Sequence, residues 1–159
     1  MSNREQHSLS GRLTIVLHDA DGQVHEKRQI NNLITTAGKN LVAQMFTGAV
    51  QEKPDLVIAV GSGVSAAQVT DTTLQQQRDE VKAKTLGPKT VEQDDTERVV
   101  ATVTATLPEL TEGEEQKLTE AGIIFKFLGT DPVLYNHVTF APVTRSANLQ
   151  MTLSWEVTF

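Results

Sequence analysis

The end of the chain fixes the most about its fold. From Leu149 onward the residues alternate without a slip: Leu149, Met151, Leu153, Trp155, Val157 and Phe159 on one side, Gln150, Thr152, Ser154, Glu156 and Thr158 on the other. A period of two is the signature of a strand with one face buried and one wet, because successive side chains leave a pleated backbone in opposite directions. A strand of this kind needs an apolar layer over its buried face. It either lies inside a sandwich or completes a sheet across a subunit boundary.

Similar patterns recur upstream. Leu13, Ile15 and Leu17 alternate with Thr14, Val16 and His18 over Gly11 to His18, and Asp21-Gly22 then suits a two-residue type I′ turn into a returning strand, Val24 to Ile30. Leu56 to Val60 is a short apolar strand closed by Gly61-Ser62-Gly63. Residues from there to Gln77 read as loop, and Glu80 to Leu86 as a strand ended by Gly87-Pro88. Residues 92–97 form an acidic, solvated turn before Arg98 to Leu107, in which Val99, Ala101, Val103, Ala105 and Leu107 share a face. Pro108 to Lys117 reads as an exposed connection. Ala121 to Leu128 and Val133 to Phe140 are two more strands, joined through Gly129-Thr130-Asp131-Pro132.

One segment has the helical period. Ile34, Ala37, Leu41, Val42, Met45 and Phe46 recur at spacings of three and four, Thr35 or Thr36 stands where an N-cap belongs, and Gly48 where a left-handed C-cap belongs. The spacing predicts a helix over about 35–47 with its apolar stripe laid across one sheet. The expectation is a mostly β chain: an antiparallel β-sandwich of about seven or eight strands with one amphipathic α-helix. Residues 11–159 make a single domain behind an N-terminal tail, 1–10.

Composition narrows the function. With 14 Lys and Arg against 20 Asp and Glu the net charge is −6, which opposes binding to nucleic acid or to an anionic membrane surface. The chain has no cysteine, so no disulfide framework or thiolate metal site is open to it. Its polar start, Met1 to His7, lacks the apolar stretch of a signal peptide, and the chain reads as made in the cytoplasm.

Candidate chemistry is sparse. With a two-residue turn at Asp21-Gly22, His18 and His25 face each other across the hairpin, either as a metal-ligating pair that needs further ligands or as a plain cross-strand pair. Asp19 points the other way. Gly61-Ser62-Gly63 follows a strand as a phosphate loop does, but it lacks the third glycine and the Gly-Lys-Ser or Gly-Lys-Thr, and reads as a tight turn. Asp19-Ala20-Asp21-Gly22 lacks the remaining ligands of a calcium loop. The carboxylates of 92–97 and 109–120 sit in polar surroundings and read as solvated. No catalytic residue, cofactor site or metal site is assigned. The surfaces left for assembly are the tail with Arg4, the loop with Gly61, Ser62, Gly63 and Asp71, and the last strand with Trp155 and Phe159.

Four segments carry a resemblance. Asn31-Asn32-Leu33-Ile34-Thr35-Thr36-Ala37-Gly38-Lys39-Asn40-Leu41 resembles an N-x-[IV]-T-x-x-G-[KR]-x-x-[LIV] opening found in virion proteins of tailed bacteriophages. Ile58-Ala59-Val60-Gly61-Ser62-Gly63 with Val69-Thr70-Asp71-Thr72-Thr73-Leu74 is similar to their I-[AG]-[IV]-G-[ST]-G-x…D-T-x-L stretch. Leu118-Thr119-Glu120-Ala121-Gly122-Ile123-Ile124-Phe125 is similar to I-T-E-A-G-[LI]-F, and Leu134 to Val143 with Leu149 to Phe159 to the closing hairpin. The resemblance runs from about residue 30 to the end. It implies a small, non-enzymatic β-rich component of tails, fibres, baseplates, collars or capsid surfaces, or of related contractile injection particles. Such a protein is located in the virion, and its partners are further copies of itself and neighbouring virion proteins. The chain has no long receptor-binding extension after this region, which favours an adaptor or connector over host recognition. A capsid-decoration or glycan-binding module on the particle surface, contacting a host surface glycan, is the alternative; an aromatic content of 4% argues against it. In the motifs, Asp71 and Thr72-Thr73 are expected to anchor the long loop, and Thr119 to Gly122 to form a turn or bulge before a buried strand, with Gly122 admitting another backbone.

Overall fold

The computed structural model describes residues 9–159, apart from the side chain of Gln93. Arg4 and nearly all of the expected tail lie outside the described residues. The rest forms two antiparallel sheets and one helix. In chain order these are β1 (Ser10–His18), β2 (Val24–Asn31), β3 (Leu33–Ile34), α1 (Thr36–Thr47), β4 (Asp55–Gly61) and β5 (Gln77–Lys82). Then come β6 (Lys84–Gln93), β7 (Thr96–Thr106), β8 (Glu115–Lys126), β9 (Val133–Leu134), β10 (Asn136–Ser146) and β11 (Gln150–Thr158).

The first sheet runs β2-β1-β11-β7-β6, and the second β3-β10-β8-β4-β5 with β9 alongside β8. The alternating last strand therefore lies mid-sheet, paired to β1 on one side and β7 on the other. Leu13 and Val103 flank Trp155 in register, and Ile15 and Ala105 flank Leu153. These inward side chains meet Ile58, Val60, Leu118, Ile123, Val138 and Val143 of the second sheet in one core. Trp155 and Leu153 are both 0% exposed, as the alternation requires of the side facing the second sheet.

Among the described residues the strands number eleven where the sequence pattern suggests seven or eight. Two of the extra elements, β3 and β9, are two-residue ladders with no periodicity to read. Gly87-Pro88 does not end a strand either: β6 continues through it, with a register shift between Leu86 and Lys89. This is tolerated because β6 is an edge strand, where proline withholds no hydrogen bond from a second neighbour.

The second sheet is covered on both faces. Every residue from Leu118 to Ile124 in β8 is buried. Outside the sandwich core a smaller cluster, Val57, Ala59, Leu74, Ile124 and Leu134, lies under the 62–76 connection that contributes Leu74. Helix α1 packs on β9. Thr35 caps it by accepting from the Gly38 N–H at 2.9 Å and donating to the Leu134 carbonyl at 2.6 Å, and Gly48 closes it at φ 78. Only the first half of the expected stripe is used: Leu41 is buried, whereas Phe46 is 92% exposed. The close contact is at the start of the helix, where Gly38 lies against the Tyr135 backbone.

Candidate functional site

The second and third resembling segments meet at one place. Asp71 comes from the long connection, Glu120 from the middle of β8, and His137 from the start of β10. His137 bridges the two carboxylates, its Nδ1 2.6 Å from Asp71 Oδ2 and its Nε2 2.8 Å from Glu120 Oε2. The side chains of His137 and Glu120 are 0% exposed, while that of Asp71 is 21% exposed.

Glu120 also holds the connection by its main chain. Oε1 accepts from the N–H of Gly63 at 3.0 Å and of Gln76 at 2.7 Å, and Oε2 from that of Gln75 at 3.0 Å. Next to it, the Thr119 hydroxyl donates to the Gly63 carbonyl at 2.6 Å. Asp71 accepts the Gln68 N–H at 2.8 Å, so it closes its own turn while facing His137. The glycines are needed for space. A Cβ on Gly61 would stand 2.4 Å from the Gln76 carbonyl oxygen, and one on Gly63 2.7 Å from Glu120 Oε1. A buried carboxylate is tolerable when charged donors and several N–H groups replace its water.

The electrostatics follow from these donors. Burial pushes the Glu120 carboxyl up, but the Gln76 and Gln75 N–H groups, the His137 ring and the Gly63 N–H outweigh it and hold it below its ordinary value. Burial acts the same way on Asp71, and the Gln68 N–H and His137 overcome it, again leaving the group below its ordinary value.

Glu120 and His137 are the site residues that sequence reasoning missed. A cluster of acidic residues up to 120 reads as solvated, yet Glu120 is fully buried in the centre of a strand, not in a turn. The available signal was a single carboxylate inside the run Leu118 to Phe125, which is otherwise uncharged. Gly61-Ser62-Gly63 makes no tight turn: it runs on from the end of β4 with neither glycine at positive φ, and the Gly63 N–H binds an anion that is a carboxylate of its own chain. Asp71 anchors its loop as expected, whereas Thr72 and Thr73 are exposed. Gly122 admits another backbone: a Cβ there would stand 2.6 Å from the Asn136 carbonyl oxygen.

The remaining candidates stand apart. Ser62 accepts from Arg78 Nε at 2.8 Å and shares a hydrogen bond with Gln76. Phe159 is 53% exposed, but Trp155 is enclosed between the sheets, so its indole offers nothing to a partner. The histidine pair does not form. A register shift pairs His18 with Val24, and His25 becomes the extra residue of a bulge. The cause is the turn: Ala20-Asp21-Gly22 is a three-residue connection in which only Gly22 has positive φ, and Asp19 Oδ1 accepts the N–H groups of Asp21 and Gln23. Asp19 then faces His25, 3.1 Å from its Nε2, and His18 bonds Thr152 on the opposite neighbour. The His25 ring and the Gln23 N–H hold the Asp19 carboxyl below its ordinary value.

Asp71, His137 and Glu120 stand in a row and do not converge on a point, and among the described residues no group of three or more His, Cys, Asp or Glu side chains is arranged to hold a metal ion. Nor does His137 have a ring nitrogen left to take a proton from a nucleophile, since both face carboxylates. Compared with protein-family models, curated proteins and solved structures, the chain matches none.

Proposed function

We propose that this chain is a non-enzymatic structural subunit of a tailed-phage virion, a multicopy adaptor or connector of the tail, collar or baseplate. The observation that supports a structural role is the convergence of separate motif segments on one internal anchor. Gly63, Asp71, Thr119 and Glu120 hold a long connection against a sheet, and Gly61 leaves the room it needs. Residues that a catalytic protein would keep available for substrate are here satisfied by one another. The order of the four resembling segments adds the virion assignment. Apolar side chains left outside, Phe46 at 92%, Leu128 at 89% and Val64 at 83% exposed, suit contacts with further copies or neighbouring virion proteins.

Light scattering on the purified chain, followed by cross-linking mass spectrometry on particles from cells that produce it, tests the proposal. A multimer, or cross-links to virion proteins, is the expected result. A monomer that cross-links to no virion component overturns it.

A further inference from the structure

We propose that the 62–76 connection is a proton-released latch: Asp71, His137 and Glu120 clamp it on the outer face of the second sheet, and acid lets it open while the sandwich stays folded. The inference concerns the internal clamp alone, so it goes beyond the virion reading and does not depend on it.

Geometry separates the clamp from the rest of the fold. The connection belongs to neither sheet, and its attachments are few. Glu120 takes its two ends through Gly63, Gln75 and Gln76, Thr119 takes the Gly63 carbonyl, and His137 takes Asp71. Beyond these, Ser62 N–H donates to the Gln76 carbonyl, Thr36 N–H to the Val69 carbonyl, and Leu74 fills the outer cluster. The core between the sheets does not include a single residue of 62–76. Loss of the clamp therefore uncovers Val57, Ala59, Ile124 and Leu134 on the outer face and leaves the β1, β7 and β11 packing intact.

Among the described residues the charges at the clamp form a closed set. Glu120 is faced by His137 from β10 and by main-chain N–H groups of the connection; His137 by Glu120 from β8 and Asp71 from the connection; Asp71 by His137. Nearby Glu80 of β5 is turned to Lys126, and Arg78 to Ser62. Asp71, the partly exposed member, is where a proton enters the row. Its neutralisation removes one of the two anions that face the His137 ring. Protonation of Glu120 then weakens three main-chain bonds at once, because a carboxylate is the stronger acceptor. Both carboxyls are held below their ordinary values by these contacts, so opening consumes protons and is driven at low pH.

Amide hydrogen exchange followed by NMR tests this on the full chain, from pH 7 to pH 3, as protection factors corrected for intrinsic rate. The clamp amides are Gly63, Gln68, Gln75 and Gln76; the references are Ile15 and Leu153 in the central strands. Clamp protection is expected to fall about tenfold or more below pH 4 while the references hold, the mark of local opening. In Asp71→Asn, a change at a partly exposed position, clamp protection is expected to be low already at pH 7 and its pH dependence to flatten. The proposal is overturned if clamp protection is constant to pH 3, if clamp and reference amides fall together, or if Asp71→Asn keeps the wild-type profile.

Discussion

At Gly38 two local rules give opposite signs. The residue lies in the first turn of α1, where replacing glycine by alanine ordinarily gains about 1 kcal/mol by removing backbone freedom from the unfolded chain. Here a Cβ would lie 2.3 Å from the Tyr135 carbonyl oxygen and 2.8 Å from its Cα, atoms of backbone that cannot rotate aside. Overpacking of this kind costs about 2 kcal/mol, so Gly38→Ala is expected to destabilise by roughly the net 1 kcal/mol or more. Urea unfolding followed by Trp155 fluorescence measures it, and a stabilised variant would show that helix and Tyr135 part easily. The resembling opening segment carries glycine at this position, and the close approach explains it physically. Sequence alone placed Gly38 inside a helix but gave no sign of what lies against it, because the contact is to a residue 97 positions away (135 − 38 = 97).

At the level of elements, the two hairpins that bound the first sheet divide the turn types unexpectedly. Asp21-Gly22 has the composition of a type I′ turn, yet the Asp19 side chain accepts two N–H groups and lengthens the connection by one residue. Asp94 and Asp95 instead adopt φ 53 and 59, the left-handed pair of a two-residue turn between β6 and β7. Aspartate tolerates this region better than most residues, and a cluster of acids therefore concealed the tighter turn. Strand existence was legible wherever one face met the core, as at β1, β7 and β11. The turn signal at Asp21-Gly22 also marks the edge strand β2, but the single strand expected over Glu80 to Leu86 is the end of β5 and the start of β6, which lie in different sheets. Strand β8 is legible only from Ala121, because its doubly buried part from Leu118 shows no alternation. The same hairpin carries a correctable defect: Glu92 stands directly opposite Glu97, both exposed and beside the two aspartates. Like charges across a pair repel, and Glu92→Lys should replace repulsion by attraction, a gain of about 0.5 kcal/mol. Thermal unfolding in low salt is expected to rise by a degree or two, and 1 M salt to reduce the difference. An equal shift in both salts would mean that charge is not the cause.

For the molecule as a whole, the buried row ties stability to pH through a sign that can be worked out. Glu120 and Asp71 are both held below their ordinary values, 4.5 and 3.8, so the native state binds fewer protons than the unfolded chain as the pH falls through this range. Their contribution is complete above those ordinary values and is lost as pH drops through the lower native ones. From these groups, stability is therefore level between pH 7 and 5 and declines below about 4.5. Glu120→Gln keeps the shape and removes the charge. It leaves the imidazole facing an amide, and because an amide has one acceptor oxygen where the carboxylate has two, at least one of the three main-chain bonds is lost and the others weaken. The stability difference between wild type and Glu120→Gln is thus expected to be largest at pH 7 and to shrink toward pH 3, where the wild-type carboxyl also becomes neutral. Urea midpoints for both proteins across this range provide the measurement. A difference that stays constant with pH would assign the role of Glu120 to its shape rather than to its charge. The pattern also explains why fold was more legible than site. Alternation reports burial of apolar side chains one strand at a time, whereas this anchor is made of polar residues from three separated segments and becomes visible only when β8, β10 and the connection stand side by side.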